Sequence, residues 1–278
     1  MDLAIALLFG LCIGSFLNVC IARIPLDISV VSPRSRCPKC QTLIAGYDNI
    51  PLLSYVILGG QCRKCRTSIS LRYPGVEAVT AIISMLLANQ HGLSVSWAVH
   101  LIFLSSMIVL VLIDLDHRIL PDIITLNGIW IGILISLYLA SPSPFAQRLY
   151  AFAGIGVSSP YVLALTASLA GAVFGGGLLW FVREIFYRLR GIESMGLGDV
   201  KMMAMAGAFL GLPLTLLTIF MGSILGSIIG LALIRIFGKG RDYELPFGTF
   251  LGVGAIAAVL FGNELIRLYL KTVFSIAS

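Results

Sequence analysis

The stretch "GLGDVKMMAMAG" runs from Gly196 to Gly207 and sets a carboxylate and an amine, Asp199 and Lys201, at the start of an otherwise apolar run. Apolar segments of this kind belong in lipid, where a charge is expensive and marks a functional site by default. The rest of the chain has the same character. Of 278 residues, 58% are hydrophobic and only 12% charged, against about half and about a quarter in soluble domains. The chain reads as an all-α, polytopic membrane protein. No cleavable signal peptide is expected, because the first apolar segment carries Asp2 in place of a basic leader.

About eight membrane spans are expected, at 2–22, 74–90, 95–113, 123–140, 161–182, 199–211, 213–234 and 247–269. The sixth is short for a full crossing. With eight spans, 16 of the 19 Lys and Arg residues fall on 23–73, 114–122, 183–201 and 235–246, leaving Arg148, Arg267 and Lys271 opposite. The rich side is therefore expected to be cytoplasmic. The net charge of +6 reads as a topology signal with some attraction to anionic lipid. It does not indicate a nucleic-acid partner, since no aromatic residues interleave the basic ones. The 141–160 stretch, rich in Pro and Ser, reads as an outer-face linker.

Three domains are expected: the first transmembrane helix (1–22), a cytoplasmic segment (23–73) and a membrane core (74–278). The 23–73 segment carries "CPKC" (Cys37, Cys40) and "CRKC" (Cys62, Cys65). Two such knuckles about 20 residues apart match a zinc ribbon and offer four thiolates to a tetrahedral ion. A reducing cytosol argues against disulfides, and Arg36, Lys39, Arg63 and Lys64 would favour the thiolates. The rival readings are a redox-active dithiol and an unligated quartet. A four-cysteine site is closed to substrate, so the expected role of the zinc is to staple a segment too small for a good core. Cys12 and Cys20, in the first span, read as packed thiols.

Acidic residues gather at two places on the same expected face. "VLIDLDHRILPD" holds Asp114, Asp116 and Asp122 with His117 and Arg118, and "GLGDVK" holds Asp199 and Lys201. Taken singly, each aspartate could cap a helix end. Taken as a pair, one from each place, they resemble the aspartic-protease arrangement. Two close carboxylates cannot both ionise easily, so one can activate water while the other donates to a carbonyl oxygen. Gly196 and Gly198 would then let backbone and substrate approach. Spacing alone does not decide between Asp114 and Asp116. No Gly-x-Ser-x-Gly or His-Glu-x-x-His motif is present, which removes serine hydrolase and zincin readings.

These residues together resemble the bacterial type IV prepilin peptidases, which are bifunctional leader peptidase/N-methyltransferases. The similarity covers "GSFLNVCIARIP" (14–25), the four-cysteine segment through "RYPGVE" (37–77), "DLDHRILPD" (114–122), "GLGDVK" (196–201) and "LPFGTFLG" (245–252). The resemblance implies that Asp114 and Asp199 are the catalytic pair. It implies prepilin or pseudopilin substrates with a short basic leader, cut after Gly at the cytoplasmic face of the inner membrane. It also implies methylation of the new N-terminus by S-adenosyl-L-methionine. Two departures from the family pattern, Thr249 where proline is frequent and "TLNG" (125–128), are expected to leave the pair untouched. Glu77 is a further acidic residue near the interface, a candidate for binding an amine or a leader's positive charge, or for capping a helix start. Lys201 is a candidate supporting residue. The competing functions are a peptidase without methyltransferase activity, a proton-coupled transporter using paired aspartates, and a non-catalytic assembly scaffold. A transporter would set its carboxylates near the bilayer midplane; here they stand at a cytoplasmic edge.

Overall fold

A computed structural model describes residues 1–140, 144–157, 159–191, 195–237 and 245–276. These form nine α-helices and no strand: α1 (Asp2–Arg23), α2 (Leu53–Ile57), α3 (Arg72–His91), α4 (Val95–His117), α5 (Asp122–Leu139), α6 (Pro144–Phe152), α7 (Pro160–Arg190), α8 (Leu197–Phe237) and α9 (Phe247–Ile276). Among the described residues, six helices are long and apolar enough to cross a membrane: α1, α4, α5, α7, α8 and α9. The chain divides into two compact units, Met1–Val109 and Leu110–Ser278.

The count of six differs from the eight expected segments for two reasons. The 74–90 segment is helical, as α3, but Glu77, Thr80 and Ser84 on it are polar and buried, which lowers its hydropathy. The 199–211 and 213–234 segments are two arms of one run, α8, broken at Gly211 (φ 67°, ψ 175°) two residues before Pro213. The expected linker at 141–160 contains α6; residues 141–143 and 158 lie outside the described residues.

In the first unit, α1 and α3 pack through small residues, which let backbones approach closely in lipid. A Cβ at Gly10 would lie 2.6 Å from Ala81 Cα, and one at Gly14 would lie 2.6 Å from Glu77 Cα. Ser84 Oγ donates to Ala6 O at 2.7 Å, and Asn18 Nδ2 donates to Tyr73 O at 3.0 Å. Cys20 is buried as expected, whereas Cys12 lies on an exposed face of α1.

In the second unit, α8 folds back on itself. A straight helix rises about 18 Å over 12 residues. Yet a Cβ at Gly175 of α7 would meet both Met203 O (2.5 Å) and Thr215 Cγ2 (2.9 Å). The two arms therefore lie side by side against α7, reversed at Gly211. Positive φ suits glycine, and Pro213 lacks the N–H that a continuous helix would need, a lack that costs nothing in the first turn of the second arm. The first arm is seated by Gly171 and Gly207, each of whose missing Cβ positions runs into the other's backbone carbonyl. Ser168 Oγ adds a hydrogen bond to Ala208 O at 2.8 Å. On the other side, the second arm runs antiparallel to α9: Leu214 lies by Gly262, Thr218 by Gly254 and Gly222 by Leu251.

Gly207→Val should destabilise the protein by about 3 kcal/mol or more, because the obstacle is a backbone carbonyl that cannot turn aside. Gly177→Ala, whose Cβ would meet nothing within 4 Å, should leave stability unchanged. Thermal unfolding of both variants in detergent checks the contrast.

Candidate functional site

Three helix ends in the second unit meet at one point. α4 brings Asp114 in its last turn, α8 brings Asp199 in its first turn, and α9 brings Gly248 and Thr249 in its first turn. A Cβ at Gly248 would lie 2.8 Å from Asp199 Oδ1 and 3.0 Å from Asp114 Oδ2. The two carboxylate oxygens are thus less than about 6 Å apart, and both residues are buried, at 5% and 7% exposure. Asp116 and His117, by contrast, are exposed. Geometry therefore brings Asp114 and not Asp116 to Asp199.

Gly198 is where Leu120 packs: a Cβ there would lie 2.9 Å from Leu120 Cβ. Leu120 Cδ1 is also 2.9 Å from the Cβ position at Gly248, so one leucine fills the space that two glycines leave beside the carboxylates. Gly196 has room, its nearest contacts being Gly198 N at 3.8 Å and Asp199 Oδ2 at 3.9 Å. Lys201 Nζ donates to both oxygens of Asp122 at 2.8 Å. This pair is partly exposed, so it is worth at most about 1 kcal/mol; its role is to tie the start of α5 to the start of α8. Glu77 belongs to the other unit, where its Oε2 accepts the Leu52 N–H at 2.9 Å and holds a residue of positive φ.

Sequence reasoning missed Thr249. The expectation that this departure leaves the pair untouched is wrong: Thr249 N–H donates to Asp114 Oδ2 at 2.6 Å and Thr249 Oγ1 donates to the same oxygen at 2.9 Å. α9 begins at Phe247, so the Thr249 N–H has no partner within its own helix and is free for a side chain. The signal was present in "FGTF": a glycine and a hydroxyl together at the start of a span.

The four cysteines assemble within the first unit. Cys37, Cys40, Cys62 and Cys65 place their Sγ atoms within 4.8 Å of one another and could hold a metal ion. Cys37 Sγ and Cys65 Sγ are 3.7 Å apart; a tetrahedron with metal–sulfur bonds of 2.3 Å has edges of about 3.8 Å. The two knuckles repeat one turn. Cys37 N–H donates to Thr42 O and Gln41 N–H to Cys37 O; Cys62 N–H donates to Thr67 O and Arg66 N–H to Cys62 O. Gln41 and Arg66 take matching positive φ of 56° and 57°, and bridges Arg36–Leu43 and Gln61–Ser68 close each turn. The Thr42 hydroxyl and backbone hold the Cys40 thiol down to about 6, and backbone hydrogen bonds from Cys65 and Lys64 lower Cys62. Hydrogen bonds thus lower these two thiols where the sequence had suggested neighbouring cations, while, against a Thr67 backbone hydrogen bond, burial and the other three thiols push Cys65 up to about 11. From 24 to 71 only Cys37, Ser54 and Gly60 are buried. The segment has no apolar core, and a metal would supply the missing constraint.

The helices and the site define a multi-pass membrane protein with a convergent aspartate pair and a separate four-thiol centre. Residues 8–91 match the bacterial peptidase A24 N-terminal domain, and residues 101–231 match the type IV leader peptidase family. A prepilin leader peptidase/N-methyltransferase of Pseudomonas aeruginosa is 33% identical over 288 residues, which cover 95% of this chain and 92% of the relative. One of Legionella pneumophila is 32% identical over the same shares, and one of Myxococcus xanthus is 35% identical over 83% of this chain and 62% of its own length. No solved structure matches the chain. The chain belongs to the type IV leader peptidase family.

Purified protein should carry one tightly held metal ion per chain by elemental analysis. The Cys37→Ser, Cys62→Ser double variant should lose it and melt at lower temperature. A metal content near zero in the protein as purified, with all four thiols alkylating freely in the native state, would remove the site.

Proposed function

We propose that this protein is a membrane aspartic endopeptidase that removes the leader from prepilins or pseudopilins and then N-methylates the new N-terminus. The observation that carries the peptidase half is the convergence of Asp114 and Asp199 on Gly248 in a chain of the leader peptidase family. The substrate is a short basic leader ending in Gly, followed by an apolar helix. Cleavage takes place at the cytoplasmic face of the inner membrane, the side to which the Lys and Arg distribution assigns both aspartates.

The chemistry is general acid–base hydrolysis. One carboxylate takes a proton from water as the water oxygen bonds to the scissile carbonyl carbon. The other aspartate, carrying the shared proton, donates it to the carbonyl oxygen. Collapse of the tetrahedral intermediate breaks the C–N bond and returns a proton to the leaving amine. With Asp114 ionised, its Oδ2 accepts two hydrogen bonds, so in that state the shared proton rests on Asp199. Leu120, lying over Gly198 and Gly248, must move aside or pack against the substrate for the bond to reach both carboxylates.

The metal at Cys37, Cys40, Cys62 and Cys65 is proposed to be zinc, with a structural role: four thiolates complete its coordination and leave no position for substrate. The methyl donor is proposed to be S-adenosyl-L-methionine. Glu77 and Lys201 support the fold through Leu52 and Asp122. The functional division is 1–22 as the first span, 23–73 as the metal-binding segment and 74–278 as the peptidase core.

Asp114→Asn and Asp199→Asn should each lower leader cleavage by at least about 100-fold in folded, membrane-inserted protein, whereas Asp116→Asn should keep substantial activity. Mass spectrometry of a co-expressed prepilin reads cleavage and methylation together, and normal processing by either of the first two variants would sink the assignment. Because the amine to be methylated exists only after cleavage, folded Asp199→Asn should not methylate full-length prepilin. Given S-adenosylmethionine and a pre-cut peptide with a free N-terminus, the same variant should add one methyl group. Loss of that activity, with donor and peptide still bound, would mean that both reactions share a centre.

A further inference from the structure

We propose that Thr249 is the positioning residue of the aspartate pair, holding Asp114 in one orientation in both of its protonation states. The inference rests on the reading of Asp114 and Asp199 as an acid–base pair.

The geometry is specific. Thr249 offers a fixed donor, its N–H at 2.6 Å from Asp114 Oδ2, and an adjustable one, its hydroxyl at 2.9 Å from the same oxygen. The hydroxyl oxygen has a second acceptor in reach, Val111 O of α4, at 3.3 Å. A hydroxyl has one proton to give and two lone pairs, so it donates to only one of these oxygens at a time. With Asp114 as a carboxylate, the proton points to Oδ2, the nearer acceptor. With Oδ2 protonated, the hydroxyl oxygen accepts from Oδ2–H and turns its own proton to Val111 O. Asp114 keeps a partner in each state, although both side chains are buried, at 5% and 9% exposure. Thr249 neither gains nor loses a proton over the cycle; the proton that moves passes between water, the pair and the substrate. Three backbone-anchored groups, Val111 and Asp114 on α4 and Thr249 on α9, thus form a hinge-free support for a carboxyl group that must change state during turnover.

Thr249→Val keeps the shape and the N–H and removes only the hydroxyl. In folded protein its kcat should fall about 10- to 100-fold with KM within about twofold, and its kcat–pH profile should change shape. Thr249→Ser restores the hydroxyl and should return both kcat and the pH profile to within about twofold of the parent. If Thr249→Val fails to fold, Thr249→Ala carries the same comparison. Asp114→Asn is assayed alongside. Normal cleavage by Asp114→Asn overturns the pair itself. A dead Asp114→Asn beside a Thr249→Val with the parent's kcat and pH profile overturns the role of Thr249 and leaves the pair standing. A Thr249→Ser as impaired as Thr249→Val also overturns it, because side-chain packing and not the hydroxyl would then matter.

Discussion

The empty space at the Cα of Gly248 is the constraint on which the second unit depends. Any side chain there would meet a carboxylate oxygen of Asp199, one of Asp114 and the methyl of Leu120, all within 3.0 Å. The arrangement is electrostatically costly as well as crowded. A carboxylate at the C-terminal end of α4 opposes that helix's dipole, and a second carboxylate close by raises the cost. What offsets it is the meeting of two N-termini. The first turns of α8 and α9 bring unsatisfied N–H groups and partial positive charge to the same point, and one of those N–H groups, that of Thr249, bonds directly to Asp114.

The fold-back of α8 makes this meeting possible. As a straight helix its 41 residues would extend about 60 Å, twice the hydrocarbon thickness of a bilayer, and α9 would begin at the far end from Asp199. Reversal at Gly211 returns the chain to the level at which it started, so the first turn of α9 stands beside the first turn of α8. The glycine contacts between α7 and the first arm serve the same end. Gly171, Gly175 and Gly207 let three helical segments lie nearly backbone to backbone, and the position of Asp199 is fixed by that packing over the length of the arm. Gly171 and Gly207, which seat the arm that carries Asp199, face each other's backbone, which cannot yield as a flexible side chain would.

Much of this was legible in the sequence because lipid restricts what a charge or a glycine can mean. Asp114 and Asp199 stood out as carboxylates at the ends of apolar runs, and the two Cys-x-x-Cys knuckles carry their geometry in their spacing. The Gly211–Pro213 break was visible as the boundary between two expected segments. Other features had no one-dimensional signature. Spacing could not choose Asp114 over Asp116, because the choice depends on which face of the last turn of α4 meets α8 and α9. Thr249 looked like a neutral departure; its importance comes from a free N–H at a helix start and from a neighbour 135 residues away. Leu120 carries no signal of its own in the sequence; its place beside the carboxylates comes from the room that Gly198 and Gly248 leave. On α3, the buried Thr80 and Ser84 lowered the hydropathy of a helix whose packing against α1 depends on them.

The two centres are built on opposite physical strategies. The aspartate pair has its positions imposed by helices packed through glycine, and the proposed acid–base chemistry needs both groups to stay buried yet exchange a proton. The four-thiol centre lies in a segment with three buried residues between 24 and 71, too few to fold by apolar burial. There the ligands must organise the chain, and the paired turns at Gln41 and Arg66 are the local preorganisation that lets them do so. A closed site of this kind cannot polarise a substrate, whereas the aspartates need no metal to activate water. On the proposed reading the peptidase chemistry belongs to the glycine-packed unit, and a metal held by the four thiols would give shape to a segment that has no apolar core.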